Sequence, residues 1–218
     1  MKTENLIEAL VADRTTGRKS IPRALATALA LGGLVSLALF FVDLDVPENI
    51  AQDMATWRFD LTTWRFDLKV GMVLLALVLA FRLCMEMSRP VTSSRPVRRL
   101  LPLAALAAIA VAVELTAVPS ASWGTRLVGT NALICLAAIP MLAMAPLAAV
   151  LLMLRSGAPA SPALAGAAAG LLAAATGATL YAFHCFDDSP LFVATWYVLA
   201  TIPVVALGAL AGRRLLRW

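Results

Sequence analysis

Ala132-Leu133-Ile134-Cys135-Leu136-Ala137-Ala138-Ile139-Pro140-Met141-Leu142-Ala143-Met144-Ala145-Pro146-Leu147-Ala148-Ala149-Val150-Leu151-Leu152-Met153-Leu154 runs without a single charged residue. A helix rises 1.5 Å per residue, so about twenty apolar residues cross roughly 30 Å of hydrocarbon. Backbone polar groups find no water in lipid and must pair within the segment, which makes such a run a helix. Five more runs of this kind lie at roughly 24–42, 70–87, 100–118, 163–183 and 191–211. The expected fold is all-α: a polytopic membrane protein with six transmembrane helices.

Composition agrees. The chain of 218 residues is 61% hydrophobic and 14% charged, with a mean hydropathy of +0.85, outside the range of soluble domains. The first apolar run follows some twenty polar residues and has no small-residue cleavage site close behind it, so a retained span is expected rather than a signal peptide. Three cysteines without C-x-x-C spacing exclude a zinc ribbon or a thioredoxin-type motif. The net charge of +5 sits mostly in residues flanking the spans, which points to a lipid bilayer as partner and not to nucleic acid.

Charge also orients the spans. Lys2, Arg14, Arg18, Lys19, Arg23, Arg82, Arg89, Arg95, Arg98, Arg99, Arg155, Arg213, Arg214 and Arg217 fall on one side, against Arg58, Arg65, Lys69 and Arg126 on the other. By the positive-inside rule both termini are expected in the cytoplasm, the N-in/C-in arrangement. The chain then divides into a cytoplasmic segment 1–23, a transmembrane domain 24–212 and a basic tail 213–218.

Within the first segment, Thr3 can cap a short helix whose Leu6, Ile7, Leu10 and Val11 form one apolar stripe. Such a short amphipathic helix is not stable alone in water and needs a membrane interface or a protein partner to lie on. The first outer loop, 43–69, is acidic and contains a tandem repeat, Thr56-Trp57-Arg58-Phe59-Asp60-Leu61-Thr62 followed by Thr63-Trp64-Arg65-Phe66-Asp67-Leu68-Lys69. Its aromatics suit the headgroup zone, and a lengthened interfacial segment is the simplest reading beside that of a ligand platform. Pro140 and Pro146 interrupt the fourth span, while Gly166, Gly170 and Gly177 place the fifth in the bundle interior.

The reactive side chains gather by depth near the outer ends. Cys135 lies one turn into the fourth span, Glu114 one turn from the end of the third, and His184-Cys185 opens the last outer loop. Cys135, Cys185 and His184, with Glu114, Asp187 and Asp188 as accessory groups, could form a redox site or take up a soft metal such as zinc or cadmium. The alternative is that both cysteines are small buried hydrophobes, the reading also given to Cys84. Glu114 needs a partner so close to hydrocarbon, with Arg126 or His184 in reach. A proton pathway is one reading of it and a snorkelling carboxylate the other. No chain of ionisable groups crosses the remaining spans, and no second histidine, G-x-S-x-G or phosphate loop is present, which argues against transport and catalysis.

The N-terminus Met1-Lys2-Thr3-Glu4-Asn5-Leu6-Ile7-Glu8-Ala9-Leu10-Val11-Ala12-Asp13, the six spans, the His184-Cys185-x-Asp187-Asp188-Ser189-Pro190 loop, Trp196-Tyr197 and the ending Arg213-Arg214-Leu215-Leu216-Arg217-Trp218 together resemble the NrsF family. The resemblance covers essentially the whole chain. It implies a bacterial inner-membrane anti-sigma factor that holds an extracytoplasmic-function sigma factor inactive, a regulator and not an enzyme, with no resident cofactor. Carried over, sigma-factor binding falls on Leu6, Ile7, Leu10 and Val11 with Glu4, Glu8 and Asp13 on the rim. Signal sensing, for a redox or heavy-metal stress, falls on Cys135 and Cys185. The duplicated Thr-Trp-Arg-Phe-Asp-Leu unit departs from the family pattern. A small transporter or thiol-dependent membrane enzyme built on Glu114, His184 and the two cysteines is the rival class, and a structural subunit a third.

Overall fold

The computed structural model describes residues 20–43, 64–89 and 96–216. Among these residues there is no strand, and six helical segments are long and apolar enough to cross a membrane. They are α1 (Ile21–Asp43), α2 (Trp64–Met87), α3 (Leu101–Ala117), α5 (Ala132–Leu154), α6 (Pro162–Ala182) and α7 (Pro190–Leu215), with a short helix α4 (Trp123–Val128) leading into α5. The helix α7 contains a π-helical turn at Val193–Tyr197. The six expected spans are therefore present, and many large apolar side chains, such as Leu31, Val42 and Leu133, point outward as a lipid-facing surface requires.

Two boundaries differ from the hydropathy reading. Helix α2 begins at Trp64, so the second copy of the repeated unit forms its first two turns and is not loop. Helix α7 continues to Leu215 and takes Arg213 and Arg214 into its last turn, where cations suit the helix dipole. The first copy of the repeat, residues 56–62, lies outside the described residues. So does the amphipathic stretch with Glu4, Leu6, Ile7, Glu8, Leu10, Val11 and Asp13.

Small residues decide how the helices meet. α6, built from Ala and Gly, is the most buried span and packs against α2, α5 and α7. On its α7 face, Gly166 and Gly170 lie against Gly208 and Gly212. A Cβ on Gly170 would stand 2.6 Å from the Val204 carbonyl oxygen and one on Gly212 2.8 Å from the Gly166 Cα, distances that real side chains do not occupy. Two backbones this close gain dispersion contact that bulkier residues would forbid.

The joint between α1 and α5 follows from proline. Pro146 has no N–H, so the Leu142 carbonyl four residues earlier lacks its helical donor. The buried Ser36 hydroxyl on α1 donates to it at 2.6 Å. Beside this bond Gly32 meets Pro146, with room for no Cβ: one would lie 2.6 Å from the Pro146 Cα.

The core divides into two apolar clusters along the bundle. One, with Leu25, Cys84, Met87, Leu151, Leu154 and Leu216, lies towards the end where α1 begins and α7 finishes. The other, with Phe40, Met72, Cys135, Tyr181, Cys185 and Phe192, lies towards the opposite end, where α3 closes and α5 opens.

Candidate functional site

At that second end the charged groups form three sets, around Glu114, Lys69 and Asp187, brought into one network by the successive loop residues 187–189. Glu114, near the C-terminus of α3, is fully buried. A buried carboxylate is costly unless it is paired and hydrogen-bonded. Arg65 of α2 donates through Nε to its Oε2 at 3.0 Å, and Arg126 of α4 donates through Nη1 to its Oε1 at 2.8 Å. The Ser189 hydroxyl adds a 3.4 Å bond. Of the two partners expected from sequence, Arg126 takes up the role and His184 does not.

With the repeat read as a loop, nothing in the sequence aims Arg65 at Glu114. Once residues 64–69 are helical, Arg65 and Lys69 are four apart and share a face. The Arg65 guanidinium lies 5.0 Å from the Trp64 ring centroid, and the Lys69 Nζ 5.1 Å from that of Phe66. Lys69 is fully buried, donates to the Cys185 carbonyl at 2.6 Å and pairs with Asp188. Thus one turn of helix clamps α3 with Arg65 and the last loop with Lys69.

The neighbouring acid does a different task. Asp187 Oδ2 accepts from the backbone N–H groups of Asn131 (2.8 Å) and Thr130 (3.0 Å) and from the side chains of both. These donors precede α5, so the carboxylate of one loop satisfies the start of another helix. Gly129 makes the approach possible: its φ of 59° and ψ of −162° suit glycine alone, and a Cβ there would stand 2.7 Å from Asp187 Cγ and Phe192 Cδ2. Trp196 then donates to the Leu127 carbonyl at 2.7 Å.

Cys135 and Cys185 both enter the apolar cluster beneath this network, unoxidised and buried, in the company of Tyr181 and Tyr197. The Cys185 thiol donates weakly to the Asp187 carbonyl at 3.9 Å. Burial pushes this thiol above its ordinary value, against the lowering influence of that hydrogen bond and of Lys69. His184 is next in sequence but turns its ring to Phe40 and Tyr181, with centroids 6.2 and 6.0 Å away. Its Nδ1 and the Tyr197 hydroxyl are buried without a hydrogen-bond partner among the described residues.

Among the described residues, no three His, Cys, Asp or Glu side chains come together as a set able to hold a metal ion. The expected trio of Cys135, Cys185 and His184 is therefore not assembled, and Asp187 and Asp188 are spent on the helix start and on Lys69. What the arrangement offers is a thiol pair, one member on a rigid helix and one on a loop held by two anchors. Cys84 lies in the other cluster, remote from both.

No solved structure matches the chain. A family model described as "Negative regulator of sigma F" matches residues 10–218. The chain is 34% identical to the anti-sigma-F factor NrsF of Caulobacter vibrioides, over the full length of both. It is 32% identical to the probable anti-sigma-F factor NrsF of Azospira oryzae, again over the full length of both. A match that runs from the tail before α1 through the clamped loop to the end of α7 places the chain in the NrsF family of negative regulators of sigma F.

Proposed function

We propose that the protein is a membrane-embedded anti-sigma factor that sequesters an extracytoplasmic-function sigma factor and releases it on a thiol-directed signal. The observation that carries this reading is the full-length match to two anti-sigma-F factors. Capture rests on the cytoplasmic segment 1–23, where Leu6, Ile7, Leu10 and Val11 dock in a groove of the sigma factor and Glu4, Glu8 and Asp13 line the rim. A short helix that gains its order on a partner suits this mode of binding.

Sensing rests on Cys135 and Cys185, at the periplasmic end of an inner-membrane bundle with both termini in the cytoplasm. An oxidant or a soft metal ion that reacts with the thiol pair pulls Cys185 and its loop against the Lys69 and Asp187 anchors. The strained α5 then shifts against α1 at the Ser36–Leu142 joint, and α1 leads directly into the capture segment. A tenfold loss of sigma-factor affinity needs about 1.4 kcal/mol of coupling.

The test is capture of a sigma factor from host extract by the full chain in lipid nanodiscs. Leu6→Asp and Leu10→Asp should abolish capture with membrane insertion intact, and undiminished capture refutes the binding role. Cys135→Ser and Cys185→Ser should hold the sigma factor through oxidant and cadmium treatment; release as in the parent protein would reduce the cysteines to packing.

A further inference from the structure

A cleft of ≈500 Å³ opens beside the ion network. Arg65, Arg126, Ser122, Thr125 and Ser189 line it together with Asp187 and Asp188. The acids there are engaged: Asp188 by Lys69, Asp187 by the four donors of Thr130 and Asn131. The hydroxyls of Ser122 and Thr125 donate to the Pro119 and Ser122 carbonyls. What is left unspent belongs to the arginines.

Two guanidinium groups share one carboxylate. Arg65 gives Glu114 its Nε and Arg126 one Nη1, while each guanidinium carries five N–H donors. Glu114 is fully buried, whereas the two arginine side chains are 27% and 33% exposed and form the cleft wall. Arg65 and Arg126 against Glu114 leave one positive charge, which the lining Asp187 carboxylate, held by neutral donors alone, offsets, so the cleft draws an anion through its unspent guanidinium donors and not through net charge. Forked donors of this kind match tetrahedral oxyanions in geometry as well as charge. Trp64 and Trp123, both partly exposed, lie on the same elements as the two arginines, as side chains at headgroup depth do.

We propose that this cleft binds a phosphate group, carried by an anionic phospholipid or free in solution. The phosphate sits across Arg65 and Arg126 and bridges α2 to α4. It thereby braces the network that holds the Cys185 loop. This site requires neither the sigma factor nor the thiols, so its fate is separable from theirs.

The experiment uses the full chain, delipidated in detergent, with thermal unfolding followed in inorganic phosphate and in chloride at equal ionic strength. A second arm places it in nanodiscs of phosphatidylcholine with or without phosphatidylglycerol. At tenfold excess over Kd a specific ligand raises Tm by about 3–6 °C in a chain of this size. A rise with phosphate in detergent that persists in phosphatidylglycerol discs identifies a free anion. A rise with phosphatidylglycerol that makes added phosphate ineffective identifies the lipid. Glu114→Gln, which removes the competing carboxylate, should enlarge the shift. The double variant Glu114→Gln/Arg126→Gln, which leaves no buried charge unpaired, should erase it. Equal Tm in phosphate and chloride together with equal Tm in the two kinds of disc overturns the proposal, as does a full shift in the double variant.

Discussion

Ser36 Oγ donates a 2.6 Å hydrogen bond to the Leu142 carbonyl, the oxygen that Pro146 deprives of its helical donor. The bond joins residues 106 apart in sequence and ties α1, which follows the N-terminal segment, to α5, which carries Cys135. A proline that would be a defect in an isolated helix becomes, with serine opposite, a specific seam between two helices.

Replacing that serine tests the seam. Ser36→Ala leaves the Leu142 oxygen unpaired in an apolar surrounding and should cost about 0.5–1.5 kcal/mol, the range for interhelical hydrogen bonds in membranes. Steric-trapping or reversible denaturation in bicelles measures it. Gly32→Ala should cost more, because its Cβ meets Pro146 backbone that cannot move aside.

The ion network makes a second prediction through the order of variants. Arg126→Ala leaves Glu114 with Arg65 alone, and the loss should be about 1–3 kcal/mol, below that of a fully buried pair because both arginines reach solvent. Adding Glu114→Gln to Arg126→Ala should restore part of the loss. A double-mutant cycle on unfolding free energy gives the coupling, and additive effects would mean that the pair does not interact.

Gly129→Ala imposes a side chain on a backbone conformation reserved for glycine and drives a Cβ into Asp187 and Phe192. A loss of about 1–3 kcal/mol is expected from the backbone alone. The displaced Asp187 should also bare Cys185, so the rate of Cys185 alkylation should rise in parallel. Unchanged melting and unchanged labelling would contradict the tight approach.

Reactivity of Cys185 should depend on pH in a defined sense. Burial raises its pKa, so the neutral thiol persists past the pH at which a free cysteine ionises. At neutral pH a thiolate-selective reagent should label it far more slowly than a free cysteine. The rate should climb only as pH passes beyond the ordinary thiol range. Lys69→Met removes a cation that lowers this pKa and should move the profile to still higher pH. A profile centred at or below the free-thiol value would refute the buried, protonated state.

The six helices and the burial of the Ala/Gly span were legible because hydropathy and small-residue spacing act within one segment. The start of α2 was not, since Trp64 to Lys69 mix aromatic and charged residues and lack the apolar run that marks a span. That one boundary hid half of the network: with 64–69 taken as loop, neither Arg65 nor Lys69 had a defined face, and Glu114 was given one arginine where it has two. Adjacency in sequence suggests His184 beside the Cys185 thiol, but a one-residue step in a turn is enough to point neighbouring side chains apart, and its ring faces Phe40 and Tyr181.

The sequence by itself determined that the described residues hold six membrane-length helices and which family the chain joins, because the demand that lipid places on a backbone is met locally, residue by residue. Only the tertiary structure decided that Arg65 reaches Glu114 and Lys69 reaches the Cys185 carbonyl, across separations of 49 and 116 residues. Such pairings depend on which face each helix turns to its neighbours. That choice is set by close packing at Gly32, Gly166 and Gly208 and by the carbonyl that Pro146 leaves free, and none of these is a property of one segment alone.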